Sequence, residues 1–306
     1  MSRTFYLNGK FVPEEEAVIP VTAHALHYGT GVFEGIRAYF NEDDKSLYIF
    51  RLEDHFNRMF NSTKILFSKL PGTTKELSEI TVELLKKNFS ETDVYIRPLA
   101  FKIDPAVGNF NLTTLKDGFC IYTVPLGRYL KEKGIRANVS SWMRVPDRAI
   151  PPRGKITGAY ANTALAKTES LLGGFDEALF LDDRGHIAEG SAENFFMIKD
   201  GRLITPSLSD DALIGITRDT IMTIAKNELN IETDQRSIDR SEIYGVDEIF
   251  VCGTGAEVSP VIEVDHRPVG DGKVGPISEK IRALYLDIVR GKNSKYSHWV
   301  TKVSSK

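Results

Sequence analysis

Residues 177–206 read EALFLDDRGHIAEGSAENFFMIKDGRLITP, and this stretch carries the plainest fold signal in the chain. Short apolar runs are broken by Asp183-Arg184-Gly185 and Asp200-Gly201, residue types that favour turns. The pattern predicts successive strands in a meander. Upstream, GKITGAYANTALAKTESLL (154–172) predicts a helix in its later part, and RANVSSWMRV (136–145) reads as a strand. Downstream, a helix is expected from about Thr217 to Leu229 and another from Ile277 to Val289, each with apolar residues at helical spacing. Between them DEIFVCGTGAE (247–257) reads as a buried strand running into a glycine turn.

The first half follows a different order. Asn8-Gly9 between two apolar runs is a hairpin signal. Phe56, Met59, Phe60, Thr63 and Phe67 mark a helix from Asp54 to about Leu66, and Leu77, Ile80, Leu84 and Leu85 mark a second. DVYIRPLAF (93–101) and GFCIYTVPL (118–126) are rich in β-branched and aromatic residues and read as strands. The polar segment PLGRYLKEKG (125–134) is bounded by Pro and Gly. These observations predict an α+β chain: two α/β domains, residues 1–124 and 135–306, joined by a short interdomain loop at 125–134. Lys155 falls in the second, larger domain.

Composition removes several classes of function. Of 306 residues, 42% are hydrophobic and 26% charged, enough apolar material for a sizeable core and too much for a disordered chain. The net charge of −3 is spread without blocks, so no nucleic-acid or membrane-surface partner is expected. Cys120 and Cys252 stand far apart, and six scattered histidines lack ligand spacing, His24 and His27 included; neither a disulfide framework nor a metal site is predicted. MSRTFYLNGKFVPEE has no apolar secretion signal and no stretch matches a membrane span, so the expectation is a cytoplasmic protein.

Several local patterns have two readings. HYGTGVFEGIR (27–37) approaches a dinucleotide fingerprint but puts Glu34 where the third glycine belongs. Lys155, in Arg-Gly-Lys-Ile-Thr-Gly, has small and β-branched neighbours; it is either a snorkelling lysine or a nucleophile whose pKa a cation such as Arg153 lowers. Gly215-Ile216-Thr217-Arg218 opens a helix, so its N–H groups either hold an anion or are capped by Thr217. Gly253-Thr254-Gly255-Ala256 is either a ligand-approaching turn or a plain one. Glu189 and Glu193 lie beside apolar chain, where a buried acid needs a partner. Tyr95 and Arg97, two apart on a strand, share a face and form a candidate carboxylate receptor.

Together HALHYGTGVFEGIRAY, FRLEDHFNRM, YIRPL, GKITGAY, EGSAENFF, GITRD and CGTGAEV, in that order between about residues 5 and 290, resemble the fold-type IV pyridoxal-phosphate enzymes, specifically the branched-chain amino acid aminotransferases. The resemblance implies pyridoxal 5'-phosphate as cofactor, Lys155 as Schiff-base lysine and proton shuttle, and Arg58 with the N–H groups of Ile216 and Thr217 and the Thr254 hydroxyl around the phosphate. Glu189 would face the pyridine nitrogen, Tyr160 the ring hydroxyl, and Asn194 would support that network. For substrates it implies Tyr95, Gly255 and Ala256 at the α-carboxylate, Phe33, Gly35 and Tyr28 as apolar wall, and Arg97 and Tyr129 at the distal carboxylate of glutamate or 2-oxoglutarate. Tyr28 would reach across the interface of a homodimer or higher homo-oligomer. The expected reaction is reversible ping-pong transfer of the amino group from L-leucine, L-isoleucine or L-valine to 2-oxoglutarate. Leu126 and Arg128 on the interdomain loop depart from the family pattern and put substrate breadth in question. Relatives acting on D-amino acids, on (R)-amines or on aminodeoxychorismate are alternatives of the same fold; a non-enzymatic binder of the cofactor is one of a different class.

Overall fold

The computed structural model describes residues 2–105, 107–127 and 133–305. They fall into two compact units, the first within Met1–Gly127, Gly154–Gly158 and Asp287–Lys306, the second within Arg128–Arg153 and Ala159–Leu286. The division is not the single cut expected from sequence. Gly154–Gly158, with Lys155, and the C-terminal residues belong to the first unit, because contacts distant in sequence decide membership.

In the first unit β1 (Thr4–Leu7) and β2 (Lys10–Pro13) form the predicted hairpin. Asn8 and Gly9 have φ of 47° and 93°, both in the left-handed region that a two-residue turn of this kind requires. β3 (Gly31–Phe33), β4 (Ile36–Asn41), β5 (Ser46–Phe50), β6 (Val94–Lys102) and β7 (Asp117–Pro125) complete an antiparallel sheet with the last strand, Val300–Ser304. Its order is Val300–Ser304, β5, β4, β6, β7, β1, β2, and β3 also lies on β6.

β3 and β4 keep one register against β6, with Phe33 opposite Leu99 and Ile36 opposite Ile96. The ladder is interrupted at Glu34-Gly35. Glu34 donates its N–H to the Pro98 carbonyl at 2.9 Å, but Pro98 has no N–H to return.

Helix α1 (His24–Tyr28) is a single turn. Helix α2 (Leu52–Ile65) buries Leu52, His55, Phe56, Met59, Ser62 and Thr63 on one stripe. Phe67, expected to extend that stripe, lies beyond the helix end at φ 49° and is 64% exposed. Helix α3 (Thr74–Lys87) starts with a capping box between Thr73 and Glu76, and Lys86 and Lys87 complement the dipole at its end. Fully burying Phe56 or Met59 stabilises by about 2 kcal/mol each.

The second unit is built on β8 (Ile135–Val139), β9 (Glu177–Leu181), β10 (Ile187–Gly190), β11 (Asn194–Lys199), β12 (Arg202–Thr205), β13 (Thr233–Gln235), β14 (Glu248–Gly253), β15 (Glu257–Val264) and β16 (Arg267–Pro268). The order is β10, β9, β8, β15, β14, β11, β12, β13, with β16 on β15. β8 runs parallel to both β9 and β15, and α4 (Tyr160–Leu172) lies in the long connection that parallel pairing requires.

The expected meander is corrected here. β9–β10 and β11–β12 are each antiparallel hairpins, but β10 ends at one edge of the sheet while β11 pairs with β14. The strand signal in RANVSSWMRV likewise holds only to Val139. Ile135, Leu179, Phe195, Val251 and Val261 belong to one apolar cluster, and Ala166 of α4 packs with Ala178, Phe180 and Ala188 in another. α5 (Ile216–Leu229) and α6 (Pro276–Val289) follow their predicted limits within a residue. Among the described residues no helix is long and apolar enough to cross a membrane, and both cysteines are free.

Candidate active site

Lys155 is held by its main chain on both sides. Its carbonyl accepts the Phe33 N–H at 3.1 Å, and its own N–H donates to Ser62 Oγ at 3.2 Å. Ile156 forms an isolated bridge with Val32. Two residues on, Thr157 Oγ1 donates to the Gly29 carbonyl at 2.8 Å and takes the Gly31 N–H at 3.1 Å. A β-carbon on Gly29 would lie 2.6 Å from the Gly158 Cα, and Gly29 has φ 65°, so no side chain fits there. The half-buried Lys155 Nζ sits 5.0 Å from the centre of the Phe33 ring. Arg153, a candidate cationic neighbour in sequence, is exposed.

The same ring carries a second cation. Arg97 Cζ lies 4.3 Å from the Phe33 centroid, and Arg97 Nη2 donates to the Tyr95 hydroxyl at 2.7 Å. Tyr95 and Arg97 do share a face of β6, both half-buried between the buried Val94, Ile96 and Pro98. A β-carbon on Gly35 would come within 2.3 Å of the Tyr95 hydroxyl, so glycine there is what lets that hydroxyl approach the strand. Tyr28, at the end of α1, stacks edge-on against Phe110 at 5.0 Å. Tyr129 and Arg128 lie outside the described residues. Leu126 is tied down by its N–H to the Asp93 carbonyl and by its own carbonyl to Arg37 Nη2.

Behind Phe33, strand alternation turns Glu34 to the opposite side. Its carboxylate is fully buried and takes Arg58 Nε at 2.8 Å, Arg58 Nη2 at 2.7 Å and His55 Nδ1 at 2.8 Å. Burial alone would push this carboxyl up. The Arg58 charge and its two hydrogen bonds, with His55 in support, outweigh burial and hold it at about 2. Burial holds the His55 imidazole below its ordinary value despite Glu34, and the positive charges of Arg58 and Lys155 act the same way.

In the second unit Glu189, on β10, is also buried. Its Oε2 accepts from Asn194 Nδ2 at 3.2 Å and from the Leu213 N–H at 3.0 Å. Arg144 Nε approaches Oε1 to 2.8 Å, an ion pair by distance whose N–H is not aligned as a hydrogen bond. Asn194 also donates to the Leu213 carbonyl. Its Oδ1 lies 1.8 Å from where a Gly215 β-carbon would stand, so the start of α5 packs directly on Asn194. Gly215 is the N-cap and no side chain caps α5; Thr217 sits inside the first turn, which sets aside the capping role considered for it. Ile216 and Thr217 are buried and Tyr160, first residue of α4, is half-buried.

In the turn after β14, Thr254 and Gly255 are half-buried and the Ala256 carbonyl accepts the Ser259 hydroxyl at 2.7 Å. The left-handed residue of that turn is Glu257, at φ 57°, and neither glycine takes that role. Glu193 closes its own turn, taking the Ala192 N–H at 2.9 Å. Asp182, His186 and Asp210 come close enough to offer metal ligands, which the spacing of the histidines does not reveal, but the Arg184 guanidinium already bonds both carboxylates.

The sequence matches the model of the amino-transferase class IV family over residues 31–264. This chain belongs to the class IV aminotransferases. The Thermoproteus uzoniensis branched-chain aminotransferase, solved with norvaline, is 43% identical, with a TM-score of 0.94 and 99% of each chain covered. The Thermobaculum terrenum branched-chain amino acid aminotransferase, solved in its PLP form, is 36% identical, with a TM-score of 0.92 and 99% of each chain covered. An Aquifex aeolicus (strain VF5) protein called "Probable branched-chain-amino-acid aminotransferase" is 46% identical over 98% of this chain and 97% of its own.

Three residues of this class IV chain were missed by reading the sequence for motifs: Glu34, His55 and Arg144. The first had a usable signal, since a lone acid inside the apolar run Val32-Phe33-Glu34-Gly35-Ile36 must find a partner. His55 and Arg58, three apart on a helix, supply it on one face. Arg144 had none, lying in an irregular segment after β8.

Proposed function

We propose that this class IV aminotransferase is a pyridoxal-phosphate-dependent branched-chain-amino-acid transaminase. It moves the amino group of L-leucine, L-isoleucine or L-valine to 2-oxoglutarate, reversibly and in two half-reactions. The observation that carries the reading is the shared ring of Phe33. The Lys155 amine and the Arg97 guanidinium, which donates to the Tyr95 hydroxyl, both lie against it, at 5.0 Å and 4.3 Å from its centroid. The named relatives support the choice of substrate.

The donor set fits the cofactor. In the first unit the charge of Arg58, already fixed in place, suits a phosphate; in the second the first turn of α5, with Gly215 as its N-cap, suits one through the helix dipole. The buried Glu189 carboxylate suits a protonated ring nitrogen, and Tyr160 and Thr254 add hydroxyls at the ring oxygen and the phosphate. When bound, the cofactor supplies an electron sink for the bond broken at the substrate α-carbon. Lys155 Nζ serves as the base that takes the α-proton and as the acid that returns it. Glu189 keeps the ring nitrogen protonated and Asn194 fixes the carboxylate that does so. Tyr95 and the Gly255 and Ala256 amides hold the α-carboxylate, while Phe33, Gly35 and Tyr28 present apolar wall. Arg97 and Tyr129 take the distal carboxylate of glutamate, for which the planar guanidinium is better suited than an ammonium.

A homodimer or higher homo-oligomer is part of this reading. Val18, Val21, Leu26, Val107 and Phe110 are 64–78% exposed on the segments that flank Tyr28, apolar surface that a second copy would cover. The cytoplasm is its proposed location.

Glutamate formation from 2-oxoglutarate, measured in parallel with L-leucine, D-alanine and (R)-1-phenylethylamine as donors, tests the assignment. L-leucine is expected to be the best donor. Preference for either of the others would move the chain to another branch of the same fold.

A further inference from the structure

We propose that Glu34 is a positioning residue for the cofactor phosphate, acting through Arg58. The proposal rests on the assignment of Arg58 to that phosphate and adds what fixes the arginine. Nothing in strand or helix formation calls for an acid at position 34. Apolar side chains replacing Glu34, His55 and Arg58 together would pack there without the several kcal/mol that burying the charges costs, so the buried ion pair is weak evidence of a stabilising role.

What the acid provides is geometry. Arg58 meets it side-on, through Nε and Nη2 to different oxygens at 2.8 and 2.7 Å. Two parallel bonds lock the guanidinium plane, and they send Nη1 to the other edge of that plane. His55, three residues earlier on the same face of α2, holds the carboxylate in turn at 2.8 Å.

The pair also ties Arg58 to Lys155. Phe33, the residue before Glu34, donates its N–H to the Lys155 carbonyl, and Ser62, one turn after Arg58, accepts the Lys155 N–H. Arg58 and Lys155 are therefore registered by two short routes, one through β3 and one through α2. A ligand held at one end by an arginine and bonded at the other to a lysine needs that separation fixed. Glu34 closes the route through β3.

Cofactor-free full-length protein is titrated with pyridoxal 5'-phosphate and, separately, with pyridoxal, which lacks the phosphate, following the visible absorption of the Lys155 adduct. Wild type, Glu34→Gln, Arg58→Ala and the double variant are compared, with inorganic phosphate as competitor. In Glu34→Gln the phosphorylated cofactor is expected to bind weaker by on the order of tenfold or more, pyridoxal within about twofold of wild type, and phosphate to compete less well. The double variant should lose no more than Arg58→Ala alone, because the effect passes through Arg58. Should Glu34→Gln not fold, Glu34→Asp keeps the charge and displaces the fork by one methylene; the same selective loss is expected.

Equal losses for both ligands would show a general collapse and overturn the proposal. So would unchanged or tighter phosphate binding, which would make Glu34 a competitor for Arg58. Wild type that is folded but binds neither ligand would instead sink the cofactor assignment itself, and this inference with it.

Discussion

Two buried glutamates, one in each unit, meet an arginine, and they are built differently. Glu34 is enclosed by charge: a side-on guanidinium takes both oxygens and an imidazole adds a third bond. Glu189 is held by neutral groups, an amide and a backbone N–H on one oxygen, while Arg144 approaches the other without hydrogen-bond alignment. The first carboxylate is spent on fixing Arg58. The second keeps acceptor capacity on Oε1 for a further protonated group. A buried acid alone therefore does not identify a site; the kind of partner and its alignment decide whether the acid is structural support or part of the chemistry.

The comparison predicts opposite consequences for the two acids. Replacing Glu34 by Leu leaves Arg58 and His55 without their buried counter-charge and should lower stability by about 3–5 kcal/mol, read from urea denaturation. Replacing Glu189 by Gln keeps the shape and the two neutral bonds on Oε2 but takes the counter-charge from the buried Arg144; stability should fall by less than in the Glu34 variant, while kcat falls on the order of 10²-fold or more. Equal stability losses for the two variants would erase the distinction.

Acid sharpens the contrast. The Glu34 carboxyl is held at about 2, below its ordinary 4.5, so its contribution is complete above pH 4.5 and lost as pH falls toward 2. His55 is also depressed, so the unfolded chain takes up its proton first and stability starts to fall below pH 6.5, the imidazole's ordinary value. A stability profile between pH 7 and 3 should therefore slope downward in wild type and be flatter in the double variant Glu34→Gln, His55→Gln. Parallel profiles would contradict the assignment.

Smaller effects are expected around the receptor. In Gly35→Ala the new methyl would have to displace the Tyr95 hydroxyl, 2.3 Å from its position, a strain of about 1–3 kcal/mol. It should appear mainly as a raised KM for amino donors, with cofactor binding retained. Asn194→Ala removes one donor from Glu189 and should cost about 1 kcal/mol in stability, with a modest loss in kcat.

Local chemistry made much of this molecule legible. Asn8-Gly9 forms the expected turn, α5 and α6 keep their predicted limits, and Tyr95 and Arg97 share a face because side chains on a strand alternate. Long-range pairing was not legible. Nothing in residues 177–206 tells that β11 leaves its neighbour for β14, nor that the segment around Lys155 is pinned by Gly29, Gly31 and Phe33 and belongs with the first unit. In the sequence Glu34 stands only as a mismatch to a glycine fingerprint. Its partners lie 21 and 24 residues away on a helix, and only the fold brings them to it.

The most direct test of the account is the visible spectrum of the purified, cofactor-loaded protein before and after adding L-leucine with no keto acid present. Loss of the cofactor's visible band with growth of the amine-form band is predicted, since Lys155 and an L-aliphatic donor then complete one half-reaction. A band that L-leucine leaves unmoved would contradict the assigned substrate, and protein that shows no band even with added pyridoxal 5'-phosphate would contradict the assigned chemistry.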